Sequence, residues 1–132
     1  IMSIGAVKGF EIGDGFAAAD STGSTNNDSF TMKDGRIIKK TNHSGGVLGG
    51  MSDGSDIIFR AAVKPTPSIA AIQQTVNKSG EDIAISIKGR HDPMIVPRAV
   101  VVVEAMTALT LVDMILCNMT SRIDRIVDFY KR

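Results

Sequence analysis

Several ordinary ingredients are scarce in this 132-residue chain, and each scarcity closes a class of function. A single cysteine, Cys117, rules out a disulfide framework and any paired-cysteine zinc or redox site. Two histidines, His43 and His91, are too few and too poorly partnered by carboxylates for a metal centre. The formal net charge is only +1, without the clustered basic field that a nucleic-acid binder needs. Tryptophan is absent, and five Phe and one Tyr leave little for aromatic stacking. No basic-then-apolar leader opens the chain, so a cytoplasmic protein is the expectation.

What is present fits a folded protein. Apolar residues make up 43% and charged residues 22%, which excludes a disordered tail. The length suits one domain, since domains run to roughly 100–200 residues, and a chain of that size buries about two thirds of its unfolded surface. The most apolar stretch, residues 98–116, contains Glu104 and Asp113. Aspartate near the centre of a membrane helix costs about 2.5–3.5 kcal/mol. The stretch therefore reads as a helix buried inside protein, and no membrane partner is expected.

Local patterning predicts strands first and helices last. Residues 5–11 read as a strand running into Ile12-Gly13-Asp14-Gly15, and Phe16-Ala17-Ala18-Ala19 has room for one or two helical turns. Residues 21–28 are polar or glycine throughout and predict a loop. Lys33-Asp34-Gly35-Arg36 predicts a turn between two short strands, Met51-Ser52-Asp53-Gly54 another turn, and residues 56–63 a further strand stopped by Pro65 and Pro67. Ile69, Ile72 and Val76 leave helix and extended chain equally open. Ile83, Ile85 and Ile87 alternate with Ala84, Ser86 and Lys88, the pattern of a half-buried strand. Pro97 suits the first helical position of a long helix reaching about Cys117, and an amphipathic helix follows from Ser121. Strands and loops in residues 1–96 with helices in 97–132 predict an α+β protein rather than a βαβ array.

Two glycine patterns invite nucleotide readings and fail. Gly13-Asp14-Gly15-Phe16-Ala17-Ala18 has the spacing of a dinucleotide fingerprint, but the chain turns polar before a helix can hold a pyrophosphate. Gly45-Gly46-Val47-Leu48-Gly49-Gly50-Met51-Ser52 has P-loop spacing but puts Met51 where the phosphate-reaching lysine belongs. Glu104 and Asp113 are expected to be satisfied core polar groups rather than a carboxylate pair, and Cys117 a small buried hydrophobe. Two loops carry more chemistry. Lys64-Pro65-Thr66-Pro67-Ser68 offers a cation and two hydroxyls on a stiff backbone, and Arg90, His91 and Asp92 sit on a loop between strand and helix. Such groups suit a phosphorylated ligand, with a carboxylate at hand to move a proton, or equally a solvated charged loop.

Taken together, these segments resemble a known family. Gly89-Arg90-His91-Asp92-Pro93, Pro97-Arg98-Ala99 and Val103-Glu104-Ala105-Met106 are similar to the C-terminal signature of chorismate synthases. The run from Ala6 to Phe16, the Gly45-to-Gly50 loop and the Lys64-to-Ser68 segment resemble the same family, in the right order over residues 3–117. Met94 departs from the pattern, where the family usually has a small residue. The resemblance implies a lyase of the shikimate pathway, converting 5-enolpyruvylshikimate-3-phosphate to chorismate by 1,4-elimination of phosphate with reduced FMN. It implies that Gly49, Lys64, Pro65, Thr66, Pro67, Ser68 and Arg90 line the FMN site. Asp92 is implied as a proton-transfer acid near the flavin, with Arg90 and Asp92 bordering the substrate. It also implies a β-α-β sandwich of antiparallel sheets with outer helices, assembled as a homotetramer.

The family's N-terminal Gly-Glu-Ser-His-Gly motif, its Ser-Ala-Arg motif and its two catalytic histidines have no counterpart in these residues. The Ile1-Met2-Ser3-Ile4 opening reads as a start inside an element. The expectation is the C-terminal part of the enzyme, inactive by itself and needing its N-terminal portion. A non-catalytic half-domain and one piece of a split enzyme stay open beside it.

Overall fold

In a computed structural model describing residues 1–131, the chain forms eight strands followed by two α-helices and divides into two units. The first unit is Met2–Ala62, and the second begins at Val63. All four sheets are two-stranded, and three are antiparallel hairpins. Strands then helices, with antiparallel pairing, make the architecture α+β.

In the first unit, β1 (Val7–Ile12) pairs with β6 (Phe59–Val63), and Phe10 and Phe59 stack with ring centroids 5.4 Å apart. A short 3-10 helix, Gly15–Asp20, follows β1. No α-helix begins in the Gly13-to-Ala18 run, as the polar chain after it predicts. Hairpin β2–β3 (Phe30–Lys33 and Arg36–Lys39) closes through Asp34 and Gly35, both at positive φ as the twist of a two-residue hairpin turn requires. The glycine loop contains a second hairpin, β4 (Val47–Leu48) with β5 (Met51–Ser52), turning at Gly49 and Gly50 with φ +58° and +79°. Met51 and Ser52 are therefore strand, not the turn their neighbours Asp53 and Gly54 suggest. The tighter turn lies two residues earlier, where paired glycines supply both positive φ angles.

In the second unit, β7 (Gln73–Val76) and β8 (Asp82–Ile85) form a hairpin, resolving the Ile69-to-Val76 ambiguity in favour of extended chain. Helix α1 is Val96–Met119 with Pro97 in its first turn, and α2 is Ile123–Tyr130. By length and composition α1 could cross a membrane, with a mean hydropathy of 2.1 over its most apolar window.

Burial departs furthest from expectation. Val7 is the one buried hydrophobic side chain among the described residues. All four residues of β8 are exposed and Ile87 lies beyond its end, so the half-buried strand is present but shorter than expected and not buried. Helix α1 has no buried residue; Glu104, Asp113 and Cys117 are all exposed rather than core groups. The physical reason is that a two-stranded hairpin or a single helix buries its apolar face only against a second layer, and among the described residues these elements bury almost none of theirs.

Candidate functional site

The Lys64-to-Ser68 segment leaves β6 on a backbone stiffened by Pro65 and Pro67, whose rings fix φ and remove two donors. The chain from Lys64 to Ala70 is tied to the following hairpin and its flank at two points. Gln73 Nε2 donates to the Pro67 carbonyl at 3.2 Å, and Ser86 Oγ donates to the Ala70 carbonyl at 2.8 Å. A third tie reaches the charged loop: Ser68 Oγ and His91 Nδ1 are 3.0 Å apart, while His91 Nε2 lies 2.9 Å from the Ile87 carbonyl oxygen. Ser68 is thus brought beside the Arg90-to-Asp92 loop across 23 positions of sequence.

Within that loop Asp92 Oδ2 accepts an ion pair from Arg98 Nη1 at 3.2 Å, with side chains 42% and 76% exposed. A pair that open is worth about 0–1 kcal/mol and orients more than it stabilises. It engages one carboxylate oxygen and leaves Oδ1 for other work. Lys64 and Arg90 are exposed cations. Thr66 Oγ1 is buried and has no hydrogen-bond partner among the described residues. A buried hydroxyl without a partner costs about 1–3 kcal/mol, so a bound group able to pair with it would be favoured there.

Gly49 belongs to the first unit. Its positive φ is dictated by the β4–β5 turn, and a Cβ built on it would meet open space. Gly13, Gly45 and Gly46 differ in kind. Gly13 N–H donates to the Ile58 carbonyl and Asp14 N–H to the His43 carbonyl, both at 2.8 Å. A Cβ on Gly45 would collide with the Gly13 backbone, and one on Gly46 would lie 2.5 Å from the Asp56 carbonyl oxygen. These glycines let two backbone segments touch.

A charged cluster holds the same loop and has no local signature in the sequence. Lys39 Nζ donates to Asp28 Oδ2 at 3.2 Å and Ser44 Oγ at 2.6 Å, and pairs with Asp53 Oδ2 at 2.6 Å. The side chains of Lys39, Asp28 and Asp53 are only 2%, 7% and 9% exposed. Asp28 also accepts from the Ser44 and His43 N–H groups and from the Thr41 and Ser44 hydroxyls. Burial opposes ionisation of Asp28, but those donors outweigh it and hold its carboxyl far below the usual carboxylate range. The bond to Asp53 raises the Lys39 pKa, and the bond from Lys39 lowers that of Asp53. The cluster is closed on itself, and its work is to pin the glycine loop to β3. Beside it, His43 Nδ1 lies 2.7 Å from Asp14 Oδ2, which also accepts from Asn26 at 2.9 Å.

Thr66, Ser68 and Asp92 are expected from the sequence as site residues, but nothing in the sequence marks His91 as the link between the Ser68 segment and the Arg90-to-Asp92 loop. No spacing rule relates a serine after two prolines to a histidine 23 positions later. A groove of about 690 Å³ between the end of α1 and α2 is lined by Met119, Arg125, Ile126 and Phe129, and it holds none of the expected site residues. Among the described residues no three of His, Cys, Asp and Glu gather as a metal site.

Comparison with known proteins sets this arrangement in context. The family described as chorismate synthase matches residues 1–116. The chorismate synthase of Lachnospira eligens is 77% identical over 132 residues, all of this chain and 36% of that protein. That of Agathobacter rectalis is 76% identical over the same span, again 36% of its length. The archaeal enzyme of Archaeoglobus fulgidus is 61% identical over 117 residues, 88% of this chain and 32% of that protein. A crystal structure of a chorismate synthase aligns with a TM-score of 0.48 at 43% identity, covering 51% of this chain and 20% of that one. The chain spans about a third of the length of the curated relatives it matches.

Proposed function

Because the chain belongs to the chorismate synthase family, we propose that it is the C-terminal portion of an enzyme that eliminates phosphate from 5-enolpyruvylshikimate-3-phosphate to give chorismate. The observation that carries this reading is the family match across residues 1–116, which includes both the Lys64-to-Ser68 segment and the Arg90-to-Asp92 loop.

The donor set fits reduced FMN. Thr66 presents a buried hydroxyl in need of a partner, Lys64 and Arg90 present cations for a phosphate, and Pro65 and Pro67 keep the segment rigid. By the same family resemblance Gly49 is also proposed as a flavin contact. When bound, the reduced flavin supplies electron density that favours departure of phosphate and a place for a proton. Arg90 neutralises charge on the substrate side, and Asp92, held at Oδ2 by Arg98, moves a proton at Oδ1. The upstream portion of the protein contributes the remaining catalytic groups and the facing layers that complete a β-α-β sandwich. We read α1 as covered by that portion rather than by lipid, since Glu104 and Asp113 interrupt its apolar surface. The enzyme is then cytoplasmic and, as in its family, a homotetramer.

The test is reconstitution. The purified 132-residue chain should release no phosphate from the substrate under reducing conditions with FMN. Supplied with its N-terminal portion, it should turn over, and flavin fluorescence should report binding only in the mixture. Turnover by the isolated chain, or no flavin binding in the mixture, would overturn the proposal.

A further inference from the structure

A carbonyl oxygen only accepts hydrogen bonds, so the 2.9 Å contact between His91 Nε2 and the Ile87 carbonyl requires a proton on Nε2. In the neutral ring Nδ1 is then a bare lone pair. Ser68 Oγ, 3.0 Å away, must be the donor to it. A hydroxyl has one proton. With that proton committed to His91, Ser68 has only lone pairs to offer a neighbouring ligand. Phosphate oxygens, themselves acceptors, are mismatched to it; O–H and N–H groups are matched. Thr66 is the complement, since its buried Oγ1 has no partner among the described residues and its proton is free to be donated.

We propose that His91 is a positioning residue that makes the Ser68 hydroxyl a hydrogen-bond acceptor. Ser68 then receives an O–H or N–H of the flavin's ribityl chain or ring, and the phosphate falls to Thr66, Lys64 and Arg90. The inference rests on the flavin reading above and deepens it. Its local basis is that Ile87 anchors the imidazole through the ring nitrogen facing its own loop, which aims the other nitrogen at the Lys64-to-Ser68 segment.

The experiment compares FMN with riboflavin, which lacks the phosphate, as fluorescence-titrated ligands of the full-length protein. The variants are Ser68→Ala, His91→Ala, His91→Asn and the Ser68→Ala/His91→Ala pair, with ¹⁵N-histidine NMR of the parent. Loss of one hydrogen bond should weaken binding about tenfold for Ser68→Ala, by the same factor for both ligands. His91→Ala should cost as much, yet add nothing on the Ser68→Ala background. His91→Asn, whose amide oxygen can accept the Ser68 proton, should stay within about threefold of the parent. The NMR signature should be a protonated Nε2 with a bare Nδ1. A Ser68→Ala loss confined to FMN would put Ser68 on the phosphate and overturn the proposal. Additive losses in the double variant, or a proton on Nδ1 of a neutral ring, would do the same. If the parent binds neither flavin, the flavin reading itself fails and takes the Ser68 assignment with it, whereas normal parental binding with the wrong variant pattern removes only the inference.

Discussion

At Gly45 the backbone has φ +63°, and the position a Cβ would take is occupied by Gly13, with the Ile58 carbonyl oxygen 2.7 Å away. Gly45→Ala therefore combines left-handed strain, about 1–2 kcal/mol, with a collision against backbone that cannot rotate aside. It should lower stability by more than about 2 kcal/mol, read as a depressed thermal midpoint of the full-length protein. Gly49 shares the positive φ but faces open space, so Gly49→Asn should shift the midpoint by little, because Asn tolerates the left-handed region. The charged cluster makes a prediction in pH. The Asp28 and Asp53 pKa values are depressed on folding, so their contributions are full above the ordinary carboxylate value and vanish as pH falls toward the folded ones. The Lys39 pKa is raised, so its contribution is full below the ordinary lysine value and is lost as pH rises through the folded one. Stability of this unit should be flat between about pH 5 and pH 9 and fall on both sides. Asp28→Asn should lower the plateau and flatten the acid limb; an unchanged acid limb in pH-dependent melts would exclude the cluster as its source.

Among the elements, the β7–β8 hairpin shows how little holds each piece. Its turn is organised by Asn77, whose Oδ1 accepts the Ser79 and Glu81 N–H groups at 2.8 and 3.0 Å, with Gly80 at φ +83°. Asn77→Ala removes both bonds and a third that Nδ2 donates to Glu81 Oε2 at 2.7 Å, exposed bonds that together contribute on the order of 1 kcal/mol, and a two-stranded hairpin is only marginally stable. Amide exchange at Thr75 and Ile83, which face each other across the ladder, should accelerate roughly fivefold or more. Because Gln73 ties this hairpin to the segment bearing Ser68, the same variant should also weaken the proposed flavin binding modestly in the full-length protein. Helix α1 is the opposite case. It is largely apolar and has no buried residue, so its formation rests on intrinsic propensity and Pro97 in the first turn, and its final placement on whatever covers it.

For the whole molecule the deciding quantity is buried apolar surface. Val7, the one buried hydrophobic side chain among the described residues, cannot offset the conformational entropy of ordering some 130 residues, at about 1–2 kcal/mol each for the backbone alone. Large side chains such as Ile37, Ile72 and Leu109 stand 72%, 74% and 65% exposed. The isolated chain should therefore bind the apolar dye ANS and self-associate at micromolar concentration. Adding the N-terminal portion should suppress both, as seen by dye fluorescence and light scattering. A monodisperse, dye-silent 132-residue chain with a cooperative melt would refute this account of its incompleteness.

Much of this was legible in the residues themselves, for reasons confined to short range. The Asp34-Gly35 turn, the run of extended chain before two prolines, the Pro97 helix start and the order of strands before helices follow from backbone sterics and side-chain period, which neighbouring residues determine alone. Motif order carried the family in the same way, as a string. Burial did not follow, because alternation of Ile83 and Ile85 marks which face is apolar and says nothing about whether a partner is there to cover it. The Lys39 cluster and the Ser68–His91 contact did not follow either. Each joins residues far apart in the chain, and only the path of the intervening backbone brings a lysine between two carboxylates or a serine against a histidine.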